Sequence, residues 1–297
     1  MIRRLFLFAA LTIAVASCGG QPVSLAGTAA PVVLTSTTIL ADITRNIAGD
    51  RVRVESLLPI GSDPHSYQAT PQDIAKISES KLIVVNGAMY EQFLTPLLAN
   101  ADAKAMFIEA SSGIQPRTDA QRGVDPHMWL DPNLVIRYVD NIREALTRFD
   151  PDGESVYKSN ADAYIENLKT LDSWITEQVK QIPAEKRLLV TNHEALGYFA
   201  ERYGFKVVGT VIESFSSDAS PSAQQLAALI DQIKSSSAPA IFLDASDNTA
   251  LAQQIAGETG VKVITDLHLE SLTDGAPAST YLDMMKYDVT QIVNALK

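Results

Sequence analysis

Four histidines occur in 297 residues, and two of them close the same tripeptide: Asp63-Pro64-His65 and Asp125-Pro126-His127. Proline fixes its own backbone and biases the residue before it toward extended geometry, so each imidazole follows a stiff turn. Imidazole is the commonest side-chain ligand for metals. A single histidine on such a turn ordinarily caps a helix or bonds a carbonyl. Two copies of one turn point instead to a metal site assembled from distant loops.

The elements that must position these imidazoles are legible as β-branched runs, each followed by a helical pattern. In the first half, strands are expected over 32–38, 52–58, 81–86 and 105–109, and helices over 39–48, 89–99 and 133–149. Thr70-Pro71-Gln72-Asp73 opens a further helix, with Thr70 as N-cap, Pro71 in the first helical position and Asp73 in the first turn. A long helix over 154–182 carries one apolar stripe, Tyr157, Ala161, Tyr164, Leu168, Leu171 and Ile175. At 1.5 Å per residue it is roughly 40 Å long, enough to run along two lobes. The pattern then repeats, with strands over 187–192, 206–212, 240–244 and 261–265. Helices fall over 193–203, 221–235, 248–259 and 280–296, two of them closed by Gly204 and Gly260. The expected class is α/β: two lobes, 32–153 and 183–297, each with a roughly four-stranded parallel sheet flanked by helices, linked by one long rigid helix over 154–182.

In open α/β sheets ligands bind outside the carboxyl ends of the strands. His65 follows the second strand of the first lobe and His127 the fourth. His193 follows the first strand of the second lobe, and Asp266 stands at the end of its last. If the sheets face one another across a cleft, each wall supplies two ligands. Three imidazoles and one carboxylate suit four-coordinate Zn²⁺, and a bidentate Asp266 gives a five-coordinate set that Mn²⁺ could use. Asp125, Asp131, Glu194 and Glu213 are the candidate acceptors for the outer imidazole N–H groups. His268, two residues after Asp266, is expected in a loop or at the cleft rim.

Composition narrows the partners. Hydrophobic content of 46% with 20% charged residues is that of a folded chain, and the net charge of −11 argues against nucleic acid and anionic lipid surfaces. Arg3-Arg4, a short apolar run over 5–16 and the sequence Val15-Ala16-Ser17-Cys18-Gly19 read as a secretory signal over 1–17. The only cysteine, Cys18, then becomes the lipidated first residue of the mature chain, followed by a tether over 18–31. This leaves no intramolecular disulfide and no thiolate metal site.

Together these motifs resemble those of the cluster A-I substrate-binding lipoproteins of bacterial manganese and zinc ABC transporters. The resemblance covers nearly the whole mature chain. It rests on Asp63-Pro64-His65 with Tyr67 and Thr70-Pro71, and on the run from Asp125-Pro126-His127 through Met128-Trp129-Leu130 to Asp131-Pro132. It continues with His193-Glu194-Ala195, Gly197-Tyr198-Phe199, Tyr203-Gly204 and Pro221-Ser222. It closes with Asp266 followed by Thr280-Tyr281-Leu282-Asp283-Met284-Met285. The resemblance implies two lobes bridged by a rigid helix, and one divalent ion held by His65, His127, His193 and Asp266. It further implies delivery to an ABC permease; the chain itself is expected to be a monomer, anchored by lipid on Cys18 at the periplasmic or extracytoplasmic face. Manganese members typically carry Glu where this chain has His193, which favours zinc. Many zinc members carry a His-rich loop before the second Asp-Pro-His, and residues 111–123 here contain none. Coordination chemistry agrees with the first sign, since a set of three nitrogens and one oxygen favours Zn²⁺ over Mn²⁺. Two other classes compete: a zinc hydrolase with Glu194 or Glu213 as base, although the chain lacks His-Glu-x-x-His, and an adhesin lipoprotein in which metal is incidental.

Overall fold

The computed structural model describes residues 31–94, 96–97 and 105–297. The expected signal segment, Cys18, the tether up to residue 30 and part of the helix expected over 89–99 lie outside the described residues.

Four short strands, β1 (Val32–Thr35), β2 (Arg53–Ser56), β3 (Leu82–Val85) and β4 (Met106–Glu109), form a parallel sheet in the order β2-β1-β3-β4. The central strand β3 reads Leu-Ile-Val-Val and is buried throughout, the pattern of a parallel strand covered on both faces. The strands are shorter than the apolar runs because the flanking residues are spent on caps. Thr37 leaves β1 to accept the Leu40 N–H at 3.2 Å, opening α1 (Thr38–Ala48). Thr70 and Asp73 form a capping box on α2 (Pro71–Glu79), the Thr70 N–H reaching Asp73 Oδ2 at 2.8 Å. Asp131 caps α3 (Pro132–Phe149) by accepting from Asn133 N at 2.9 Å.

Two features depart from the expected order. Residues 87–89 do not begin a helix: Gly87, Ala88 and Met89 have φ of 83°, 52° and 67°. The half-buried Glu91 carboxylate accepts from Gly87 N at 3.1 Å and Ser36 Oγ at 2.8 Å, holding this left-handed turn against its steric cost. In the stretch expected as loop, β5 (Thr118–Asp119) and β6 (Gly123–Val124) form a small antiparallel hairpin that delivers the chain to Asp125.

The second sheet contains β7 (Leu188–Thr191), β8 (Lys206–Thr210), β9 (Ala240–Asp244) and β10 (Lys262–Leu267), parallel and ordered β10-β9-β7-β8. Its helices are α5 (Gly197–Tyr203), α6 (Ala223–Ser236), α7 (Ala250–Thr259) and α8 (Tyr281–Leu296), numbered after the linking helix α4 (Glu154–Val179). The helix expected from 193 begins only at Gly197. The His193 carbonyl accepts from Thr191 Oγ1 at 2.6 Å and from Ala195 N at 2.9 Å, which keeps residues 193–196 in a turn.

Helix α4 buries Tyr157, Ala161, Tyr164, Leu168, Leu171, Ile175 and Val179. These residues belong to a single apolar cluster that includes Val33 and Val84 of the first sheet and Leu189 and Phe242 of the second. The two halves therefore share one core through α4. Leu168, 1% exposed, sits mid-stripe. Leu168→Ala is expected to destabilise the metal-free protein by about 2–5 kcal/mol through lost transfer energy and a cavity, read from a urea unfolding curve.

Candidate metal centre

The repeated tripeptide has a local purpose. Asp63 Oδ1 accepts the His65 backbone N–H at 2.9 Å, and Asp125 Oδ1 accepts that of His127 at 3.1 Å. Each aspartate closes an Asx turn two residues long, and each proline stiffens it. At the second copy the turn does more. Asp125 Oδ1 also lies 2.9 Å from His127 Nδ1, while its Oδ2 takes Arg117 Nη1 at 2.7 Å. A neutral His127 thus keeps its proton on Nδ1 and turns Nε2 inward.

Three imidazoles and one carboxylate converge. The Nε2 atoms of His193, His127 and His65 lie 3.2, 3.3 and 3.9 Å from Glu270 Oε1. Their ring centroids are 5.2–5.7 Å apart, and the four prospective ligand atoms all lie within 4.8 Å of one another. His127 is fully buried, and His193 and Glu270 are 2% exposed; only His65 reaches the rim, with a side chain 8% exposed. The buried Nε2 atoms of His65 and His127 make no hydrogen bond of good geometry among the described residues, although that of His127 comes within 3.3 Å of Glu270 Oε1. Leaving such atoms unpartnered is costly unless their lone pairs serve another purpose. The other oxygen of Glu270, Oε2, accepts from Tyr90 Oη at 2.6 Å. The left-handed turn at 87–89 thus places the tyrosine that orients the carboxylate.

Asp266, expected as the carboxylate ligand, lies elsewhere. Strand β10 continues to Leu267, with a register shift against β9 between Ile264 and Leu267, and this leaves Asp266 exposed. There it accepts from Tyr287 Oη at 2.6 Å and Gln291 Nε2 at 3.3 Å, both on α8. The signal for Glu270 was a carboxylate set among leucines in Leu267-His268-Leu269-Glu270-Ser271-Leu272, where an acidic side chain requires a partner. Of the four proposed supporting acceptors, only Asp125 touches an imidazole of the cluster. Asp131 caps α3, Glu194 is ion-paired with Arg122, and exposed Glu213 accepts from Gln225 Nε2 at 3.1 Å. His268 packs on Tyr287, its ring centroid 5.5 Å away, outside the cluster.

The carboxylate and the imidazoles of the cluster shift one another's charge. Burial would lower the His127 pKa, but the carboxylates of Glu270 and Asp125 raise it to about 9. Burial, together with the neighbouring imidazoles, takes His65 down to about 4 despite Glu270. Glu270, though buried, is held well below the usual carboxylate range by the imidazoles it faces.

With the geometry in view, comparison with known proteins is informative. Residues 33–295 match the family described as zinc-uptake complex component A, periplasmic. The chain is 35% identical over 266 residues to the manganese-binding lipoprotein MntA of Halalkalibacterium halodurans, covering 89% of this chain and 88% of that protein. It is 35% identical over 266 residues to the iron-binding protein YfeA of Yersinia pestis, covering 88% and 84%. Among solved structures, the periplasmic zinc-binding protein TroA of Treponema pallidum superposes with a TM-score of 0.84 at 28% identity, over 90% of this chain and 99% of that one. The manganese-bound periplasmic metal-binding protein of Candidatus Liberibacter asiaticus gives 0.80 at 33% identity, over 90% and 100%.

Proposed function

The chain belongs to the family of periplasmic zinc-uptake component A proteins, and from that premise we propose that it is the metal-capturing subunit of an ABC importer, taking one Zn²⁺ per chain through His65, His127, His193 and Glu270. The observation that carries this reading is the buried convergence of three Nε2 atoms on a single carboxylate oxygen. An N₃O set is chemically suited to tetrahedral zinc. With Oε2 held by Tyr90, Glu270 offers one oxygen rather than two, which disfavours the larger coordination number that Mn²⁺ takes. The metal is cargo: it is bound outside the cytoplasmic membrane and passed to a permease. The protein acts as a monomer anchored by lipid on Cys18. Among the described residues no helix is long and apolar enough to cross a membrane.

Two observations bear on the alternatives. The carboxylates considered as hydrolytic bases, Glu194 and Glu213, are engaged by Arg122 and Gln225 and do not face the imidazoles, which favours binding over catalysis. Manganese keeps a claim because a relative 35% identical to this chain is named for it. The deciding experiment is elemental analysis of protein purified without added metal, followed by competition between zinc and manganese. One zinc per chain, not displaced by excess manganese, is expected; retained manganese that resists zinc overturns the assignment. Tyr90→Phe frees Glu270 Oε2 and is expected to weaken zinc about ten- to hundredfold while narrowing the zinc-to-manganese affinity ratio, both read in the same competition.

A further inference from the structure

The two ligands from the second sheet arrive on separate segments, His193 after β7 and Glu270 after β10. Between those strands lies β9, and its carboxyl end opens the turn Asp244-Ala245-Ser246-Asp247. We propose that this turn is a template that sets the positions of His193 and Glu270 without touching the metal. The inference rests on reading those two residues as ligands.

Each aspartate divides its two oxygens between the turn and a ligand segment. Within the turn, Asp244 Oδ1 accepts from Ser246 N at 2.8 Å and Ser246 Oγ at 2.6 Å, and Asp247 Oδ2 accepts from Asp244 N at 2.8 Å. The remaining oxygens reach outward. Asp244 Oδ2 accepts the backbone N–H groups of Leu269 at 2.6 Å and Glu270 at 3.2 Å. Asp247 Oδ1 accepts from Asn192 Nδ2 at 2.6 Å, one residue before His193. Ala245 N adds a bond to the Leu267 carbonyl at 2.7 Å. An aspartate that merely shaped its own turn would need only the local half of these bonds. The outward half runs to segments 25, 26 and 55 residues away. Asp244 is 4% exposed, so its bonds to residues 269 and 270 are shielded from water and fix the approach of Glu270 firmly. Asp247 and Asn192 are the positioning pair for His193.

The test is a set of double-mutant cycles read as zinc dissociation constants, with zinc chloride the only metal, titrated to millimolar concentration so that three-ligand variants stay on scale. Asp247→Asn and Asn192→Ala are each expected to weaken zinc about ten- to hundredfold in the wild-type and His65→Ala backgrounds, the loss typical of outer supporting residues. Neither should add any loss in the His193→Ala background, because the residue they position is gone. Asp244→Asn should show the same dependence on Glu270, costing affinity in the wild type and none in Glu270→Ala. Equal losses in every background, or wild-type affinity in both Asp247→Asn and Asn192→Ala, overturn the template. If Asp247→Asn does not fold, Asn192→Ala removes the same bond from its other side and decides the question. Zinc stoichiometry of the wild type and its loss in His193→Ala report separately on the metal site, so the site can stand where the template fails.

Discussion

Glu270→Ala is expected to cost more than about a hundredfold in zinc affinity, beyond what loss of a merely supporting residue costs, while Asp266→Ala leaves affinity at the wild-type value. Among the described residues, Glu270 is the one carboxylate within reach of all three Nε2 atoms, at 3.2, 3.3 and 3.9 Å. Removing it takes away the proposed carboxylate ligand and the negative charge that would balance a divalent ion in a buried site. Asp266 is exposed and hydrogen-bonded to Tyr287 and Gln291 of α8, so its loss falls within the few tenths of a kcal/mol typical of surface substitutions. The pair separates the geometry from the expectation drawn from strand ends. Chelator-competition titration of both variants checks it; a large loss in Asp266→Ala with none in Glu270→Ala would reverse the assignment.

The second large effect is on pH. His127 must be deprotonated at Nε2 to bind metal, yet two carboxylates raise its pKa to about 9. Throughout the neutral range, metal therefore displaces a proton. Apparent zinc affinity should fall at least about tenfold for each unit of pH lowered between 8 and 6, the slope set by release of the His127 proton. His65, lowered to about 4, adds no competing proton in that window, and Glu270, held well below its usual range, adds none either. The metal-free protein carries the opposite signature. The charged His127 contributes stability that is fully present below the ordinary histidine pKa and is lost as pH rises through about 9. Dissociation constants at pH 6, 7 and 8, with calorimetric proton counts in two buffers, check the prediction; a pH-independent affinity contradicts it.

Much of this was legible from residue order. Alternating β-branched runs and helical patterns announced two parallel sheets, and the rule that ligands sit beyond carboxyl ends picked out His65, His127 and His193, which the fold brings together. The stripe of α4 was readable because its period is local. The proposed carboxylate, Glu270, escaped the sequence reading for a reason that is not local. Where β10 stops depends on its pairing with β9, and a register shift carries the strand to Leu267. Asp266 then lies within the strand, exposed, and Glu270 lies three residues beyond its end among the imidazoles. Tyr90 was hidden in the same way. Its neighbours look helical, and only the tertiary bonds of Glu91 to Ser36 and the backbone reveal the left-handed turn that aims it. Asp131, one of the candidate acceptors, caps α3, and a helix cap and a supporting carboxylate look alike in sequence.

The most direct measurement is anomalous diffraction at the zinc edge from crystals of the zinc-loaded protein. A single strong peak is predicted, bounded by the Nε2 atoms of His65, His127 and His193 and by Glu270 Oε1, at about 2.0–2.2 Å from each. A peak beside Asp266 and His268, or none between the two sheets, would contradict the account.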